Sequence, residues 1–508
     1  MEIFDVYREI FQRKSNHERA WNSNSGWFKL AHVCREWRRV VLTSPSRLHL
    51  RLVFTQHRTR RAIELKSLPP LPIIVDYGDG AWTVKTQMRM VSALAQPDRV
   101  CEIVFRGRER GLKKLMGAMN RPFPALESLA LRFQAQQGLS LLPLFLTPDF
   151  PPPFFAAHLS QLQRFSFTGK TYTLLSQMLS YTKSLVDLTL NVDKVFFPGG
   201  TPLLAHLQDM PLLRHLEVEV VTFQIAPLTG FPAPPTEKRD VVLLSELTRL
   251  RFSGQRTPVE VLAAGLATPS LKELYVSLYH DALTFPIPNL SDLIHEAGIL
   301  FFAAQLKLSQ QGLSISMLAH SHPIHDPAFK ITTNQASSMA QIGAALSSML
   351  VTVEDVFLAS SFPITKESSA PLLGDPVAWR ELFEQFRNVK ILRVHHTLET
   401  EVAAILQQHD KQLTMNPRDT GEESDLGVMA PSGVPIGESL DFLPSLKEIE
   451  VLTGSPGTPP IGESKPASGP GSCPFEPFVT TRQHIGRPVE VFWKPDIVLP
   501  SYFCDTKQ

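Results

Sequence analysis

The 508 residues predict an α/β fold: an open solenoid of parallel strands, each returned through a helix, preceded by a small helical module. Three observations predict it. A short apolar pattern recurs along most of the chain, helical periodicity fills the stretches between its copies, and the charge is divided. Residues 1–61 carry 13 Lys+Arg against 5 Asp+Glu, and the remainder 37 against 44, so a net charge of +1 hides a basic head and a mildly acidic body. Near-neutrality argues against a general nucleic-acid coat protein. An apolar content of 43% over this length suffices for several modules or a repeat array.

The head comes first. Ile3, Phe4, Tyr7, Ile10 and Phe11 form an amphipathic stretch, followed by a polar loop at Asn22–Gly26. Leu30, Val33, Cys34, Trp37 and Val41 then fall at i, i+3, i+4, i+7 and i+11, one face of a helix. Lys29, His32, Arg35, Glu36, Arg38 and Arg39 take the other face. Ser44-Pro45-Ser46 ends it, and Leu48, Leu50 and Leu52 alternate as a short strand. From the residues alone this helix either caps the first repeat, with Trp37 in the core, or offers its apolar face to a partner. Nucleic acid is the least favoured partner, because the basic residues occupy the solvated face with no aromatics among them.

The repeated pattern is apolar-x-x-apolar-x-apolar. It reads VCEIVF at Val100, LESLAL at Leu126, LQRFSF at Leu162, LVDLTL at Leu185, LRHLEV at Leu213, LTRLRF at Leu247 and LKELYV at Leu271. VEDVFL at Val353, VKILRV at Val389 and LKEIEV at Leu446 follow, with intervals from 23 to 82 residues. The last two apolar positions alternate as in a half-buried strand. Between the strands, Leu174, Leu175, Met178 and Leu179 are spaced for a helix, as are Leu203, Leu204 and Leu207. So are Val261, Leu262 and Leu266; Met339, Ile342, Leu346, Met349 and Leu350; and Trp379, Leu382, Phe383 and Phe386. Pro258 suits a first helical turn. Strands that return through helices run parallel, and each unit needs neighbours to bury its face. Proline, 42 residues or about 8% against an ordinary 5%, is partly punctuation. Pro124, Pro211, Pro269 and Pro444 each stand two residues before a repeated strand motif.

This pattern resembles leucine-rich-repeat architecture, so the expected fold is an irregular leucine-rich-repeat-like solenoid. The asparagine of regular repeats is replaced by Gln134, Lys170, Asp193, Val221, Gln255 and Tyr279. A closed (β/α) barrel, and with it an enzyme, is the competing α/β reading. Uneven intervals fit an open stack better than eight equal staves.

The segment LAHVCREWRRVVLTSPSRLHL is similar to the second half of an F-box. The longer chain resembles fungal F-box proteins with degenerate leucine-rich repeats, through SSMAQIGAALSSML near Ser337, the helix led by Trp379, FLPSLKEI at Phe442 and RQHIGRPVEV at Arg482. No counterpart of the leucine-proline that opens the usual F-box stands here, and a longer loop follows the first helix. The resemblance implies a substrate-recruiting subunit of a Skp1–cullin–F-box ubiquitin ligase rather than an enzyme. Its adaptor face would comprise Ile3, Phe4, Leu30, Val33, Cys34, Trp37, Val41, Pro45 and Leu48. The repeats would hold a target protein on outward-facing strand residues, among them Arg164, Asp187, His215, Glu217, Arg249, Arg251, Glu273 and Tyr275. The alternative is an interaction scaffold without a ligase role.

The expected layout is an F-box-like module at 1–52, a repeat array at 53–410, a flexible linker at 411–440, a last repeat strand at 441–453, a second linker at 454–474 and a C-terminal tail at 475–508. Gly, Pro and Ser make up 15 of the 21 residues in 454–474. Four cysteines, at 34, 101, 473 and 504, lack C-x-x-C spacing, so reduced thiols are expected. No stretch reaches the roughly 18 apolar residues a membrane span needs, and the N-terminus lacks a signal-peptide core, so cytosol or nucleus is expected.

No catalytic, cofactor or metal site is expected. Gly169-Lys170-Thr171 lacks the glycine that a P-loop places at position 164, which is Arg164 here. His320, His322 and His325 with Asp326 are spaced for a metal, but Pro323 and Pro327 place them on a loop. Asn289-Leu290-Ser291 would accept a glycan only in a secreted protein.

Overall fold

The computed structural model describes residues 33–43, 52–55, 72–78, 84–107, 121–133, 161–169, 172–192, 202–220, 241–279, 287–309, 312–319, 328–333, 339–360, 376–414, 443–452, 473–484 and 486–494, with residues 111, 115, 117, 119 and 159 between them. They fall into two compact units: 1–250 with 265–270, and 251–264 with 271–508.

In the first unit α1 (Arg35–Thr43) precedes the strands β1 (Leu52–Thr55), β2 (Ile73–Tyr77), β3 (Val100–Gly107), β4 (Ser128–Phe133), β5 (Arg164–Gly169), β6 (Asp187–Val192) and β7 (His215–Val220). All pair parallel in chain order. Helices α2 (Val84–Leu94), α3 (Tyr172–Leu179) and α4 (Pro202–Gln208) return the chain between strands. A two-residue parallel pair, β8 (Val242–Leu243) with β10 (Leu266–Ala267), lies beside α4. Arg249 and Leu250 begin β9 (Arg249–Gly254). Among the described residues β1 has only β2 beside it, so the sheet is open and not a barrel.

The repeat motif sets both the strand and the corner before it. Leu126, Leu162, Leu185, Leu213 and Leu247, the first apolar residue of each motif, lie just ahead of their strands at 1% exposure or less. Several of these amides close a turn on the carbonyl three residues back: Leu126 on Phe123 at 3.1 Å and Leu213 on Met210 at 3.2 Å. Pro124 and Pro211 therefore occupy the second position of a β-turn, where a fixed φ is an advantage. Beyond the corner, alternate residues are buried, Leu188, Leu190 and Val192 in β6 for example.

Successive corners are bonded through the main chain. The Glu127 carbonyl accepts from the amides of Gln163 and Arg164, both at 2.9 Å. In the same way Gln163 accepts from Val186 and Asp187, Val186 from Arg214 and His215, and Arg214 from Thr248 and Arg249. Each carbonyl uses both lone pairs, and the bonds need no particular side chain. The repeats thus hold together without an asparagine ladder. Gly169, the glycine of the P-loop-like tripeptide, ends β5 against the Phe133 ring; an added Cβ would lie 2.8 Å from it. Its role is packing.

In the second unit the remainder of β9 and α5 (Arg256–Ala264) are followed by β11 (Glu273–Tyr279), α6 (Pro288–Glu296), β12 (Phe301–Ser309), β13 (Gly312–Ala319), β14 (Phe329–Thr333), α7 (Met339–Leu350), β15 (Asp355–Ser360), α8 (Pro376–Phe383), β16 (Ile391–His395), α9 (Glu399–Thr414), β17 (Glu448–Leu452), α10 (Glu476–His484) and β18 (Glu490–Lys494). Prolines open α6 and α8, and Gly298 follows α6 with φ 64°, the left-handed conformation that ends many helices. The corner ladder recurs: Glu354 accepts from Lys390 and Ile391, Lys390 from Lys447 and Glu448, and Lys447 from Glu490.

Four features depart from expectation. The sheet is not wholly parallel: β13 runs antiparallel to β12 and β14, and the order is β11-β14-β13-β12-β15. Two residues join β12 to β13, too few for a crossover, so the chain must turn back. This meander fills much of the 82-residue interval. Next, β2 lacks the motif and was not expected; its five residues are all buried, so no alternation marks it. Helix α9 extends to Thr414, inside the segment read as a linker from 411. Finally, residues 475–494, read as tail, supply α10 and β18, and β18 extends the parallel ladder from β17. The other linker residues, 415–440 and 454–472, lie outside the described residues.

Arg482 anchors this last repeat. It is 3% exposed, donates to the Leu443 carbonyl at 3.0 Å and lies 5.2 Å from the Phe478 ring centre. Leu443 holds φ 47°, a costly conformation for leucine, while burying its side chain. Arg482→Ala removes one of the two donors to that carbonyl, which keeps the Leu446 amide at 3.2 Å, and removes the cation–π contact. We expect a loss of about 2 kcal/mol, read as a lower urea midpoint at unchanged slope.

Candidate interaction surface

Three of the residues read as adaptor-facing have described surroundings, two just ahead of α1 and one on it. Val33, just before it, is 60% exposed, Cys34 is exposed and Trp37 is half-buried. The Cys34 carbonyl accepts from the Arg38 amide at 3.0 Å, and the Trp37 amide lies 3.4 Å from Cys34 Sγ, so the first turn wraps around Cys34. Arg39 bonds Glu36 at 2.5 Å on the polar side, and that guanidinium holds the Glu36 carboxyl below its ordinary pKa. The repeat helices differ: α5 buries Val259, Leu262 and Ala263, and α8 buries Trp379, Leu382 and Phe383. Val33 thus does not occupy a core position, and Trp37 is covered in part. Val41 belongs to α1. Ile3, Phe4, Leu30, Pro45 and Leu48 lie outside the described residues.

On the first unit's sheet the outward positions align in rows. One row runs Ser128, Arg164, Asp187, His215; the next runs Ala130, Ser166, Thr189, Glu217. Arg249 continues the first, since its amide shares the Arg214 carbonyl as His215 shares that of Val186. Arg164, His215 and Arg249 are exposed, while Asp187 and Glu217 are half-buried. His215 Nδ1 bonds the Asp187 carboxylate, and Asn191 donates to Glu219. Acidic and basic residues therefore lie side by side on neighbouring strands, which favours a partner of mixed charge over a polymer of one sign.

In the second unit Arg251 is exposed, its guanidinium carbon 6.0 Å from the centre of the half-buried Tyr275 ring; Glu273 is half-buried. The expected residues are thus brought onto sheet faces within each unit.

The second unit also holds a charged group that sequence reasoning missed. Arg393 on β16 bridges Asp355 on β15 and Glu450 on β17, the latter at 2.8 Å, and Lys494 on β18 bonds Glu450 too. Asp355 and Arg393 are each 13% exposed at the side chain and Glu450 6%. Burial pushes the Asp355 carboxyl above its ordinary range despite Arg393. Burial would also raise Glu450, but hydrogen bonds from Lys494 and Arg393 hold it below. The signal was present in VEDVFL, VKILRV and LKEIEV, where Asp355 takes the third and Arg393 and Glu450 the fifth position, both outward positions already identified in earlier repeats.

The histidines at 320, 322 and 325 lie outside the described residues, and no group of three or more His, Cys, Asp or Glu that could hold a metal occurs among the described ones. Cys34, Cys101 and Cys473 form no disulfide. No described helix is long and apolar enough to cross a membrane.

No protein-family model matches the chain, and no curated protein matches it. Among solved structures it is similar to the leucine-rich repeat-containing protein LegL7 from Legionella pneumophila, at 11% identity over 66% of this chain and 85% of that one, with a TM-score of 0.29. The open parallel sheets with returning helices are themselves consistent with a leucine-rich-repeat-like stack.

Arg393→Ala leaves two buried carboxylates with less compensation. We expect a loss of about 3 kcal/mol at pH 7. Without the guanidinium the folded-state pKa of Asp355 rises further above its unfolded value, so the folded form binds the extra proton. The deficit should therefore shrink as pH falls from 7 to 5. Denaturant titrations at both values measure this.

Proposed function

We propose that this chain recruits substrates to a Skp1–cullin–F-box ubiquitin ligase, holding a Skp1-like adaptor through the N-terminal module and a target protein on the polar faces of its sheets. The observation that supports this most is the exposure of Val33 and Cys34 at the entry to α1, with half-buried Trp37 in its first turn, in the segment whose sequence resembles an F-box. Apolar side chains at helical spacing, left at the surface by the chain's own core, form the kind of face that enters a partner's groove. On this reading the cullin core is reached only through the adaptor, and transfer chemistry belongs to the other subunits.

The target side rests on the rows of mixed charge. A protein partner would read Arg164, Asp187, His215 and Glu217 as one pattern and Arg251, Glu273 and Tyr275 as another. Ion pairs on such exposed faces contribute little to folding, so their changes should register in binding first. A binding scaffold with no ligase role would use the same faces.

Pull-down of the intact protein with a Skp1-like adaptor separates the two. Val33→Arg, a change at a solvent-exposed site, should lower adaptor capture tenfold or more with the thermal transition unchanged, on the order of one well-packed contact. A folded wild-type chain that captures no adaptor removes the ligase reading. Arg249→Glu with Arg251→Glu should weaken target capture at an unchanged thermal midpoint; loss of the cooperative transition would instead assign these arginines to the fold.

A further inference from the structure

The last strand ends in a surface made for pairing. β18 has only β17 beside it among the described residues. The Glu490 amide donates to the Lys447 carbonyl, so Glu490, Phe492 and Lys494 direct their main-chain groups toward β17. By the alternation of a parallel ladder, Val491 and Trp493 direct theirs to the outer edge. The side chains are unfinished as well. Val491 and Trp493 pair with Ile449 and Val451, both at 0% exposure, yet Trp493 is 47% exposed and Phe492 on the other face 39%. Among the described residues this apolar repeat with an open edge carries no polar cap of the kind solenoids need.

The charge pattern selects the occupant. In Glu490-Val491-Phe492-Trp493-Lys494 an antiparallel partner of identical sequence, centred on Phe492, sets Glu490 opposite Lys494 at both ends. The same register makes Val491 and Trp493 a hydrogen-bonded pair, using the outward groups, four bonds in all by symmetry. The two Phe492 rings then meet at the two-fold axis, in a non-hydrogen-bonded pair with Cα atoms about 4.5 Å apart. A one-residue slip would lose both the bonding phase and the charge pairing. We infer that β18 is a self-pairing edge at which a second copy of this chain adds antiparallel, forming a two-fold dimer. Five residues a side make a small contact, so the dimer is weak and concentration-dependent. Lys494 keeps its bond to Glu450, because an ammonium has three donors.

Sedimentation equilibrium of the full chain over a wide concentration range tests this, independently of adaptor capture. A monomer–dimer equilibrium is expected. Glu490→Lys or Lys494→Glu alone places like charges opposite one another at both ends and should weaken the dimer about tenfold or more. An equimolar mixture of these two variants restores opposite charges at each end and should form a mixed dimer close to wild-type strength. Val491→Pro removes an outward amide while sparing the β17 bonds, and should abolish dimerisation without lowering the thermal midpoint. A monomeric mass throughout overturns the proposal. So does a dimer indifferent to Glu490→Lys, or a monomer that dimerises only once residues 495–508 are removed, which would make that segment the occupant of the edge.

Discussion

The corner that leads into each strand is the constraint on which the rest depends. A leucine there is buried almost completely, its amide closes a turn in several repeats, and the next carbonyl receives two amides from the following corner. Burying one such side chain stabilises by about 2 kcal/mol, and the paired bonds satisfy polar groups that the packed corner shields from water. Spacing between repeats is then free to vary, because the corner fixes the strand whatever length of chain returns to it. This explains how intervals of 23 and 36 residues support neighbouring strands of one ladder.

A sheet anchored along one side leaves alternate strand residues on its other face. In the first unit these residues are mixed in charge and partly paired across strands, as Asp187 with His215. In the second they are partly withdrawn from solvent, and Arg393 reconciles two carboxylates whose burial opposes ionisation in both. The same geometric position serves as a recognition surface in one place and as an internal electrostatic tie in another. Neighbouring bulk decides which: Phe357 and Leu452, close by, are themselves buried on that face.

The repeats were legible because the motif encodes its own burial. The motifs from Val100 to Leu446 marked β3 to β7, β9, β11 and β15 to β17, though not β1, β10, β12 or β18, and the spacings at Leu174, Met339 and Trp379 marked α3, α7 and α8. Where both faces are covered, as in β2, alternation vanishes and the signal with it. The meander was hidden for another reason: antiparallel pairing follows from a two-residue connection, and no repeat marks it. Among the surface residues, the outward positions followed from period two. The Asp355–Arg393–Glu450–Lys494 group needed the cross-strand register, since its members lie as many as 139 residues apart in a chain of 508.

By itself the sequence determined that strands alternate with helices, that their inner residues are leucine-rich and that the head is basic. These are local properties, set by periodicity and composition over a few turns. Tertiary structure decided the rest. It showed that Val33 stays outside the core, that β13 reverses, that α10 and β18 supply another repeat and that, among the described residues, β18 has an open edge. Each depends on what a neighbouring strand or helix does or does not cover, and burial by a distant segment leaves no periodic trace in the segment that is buried.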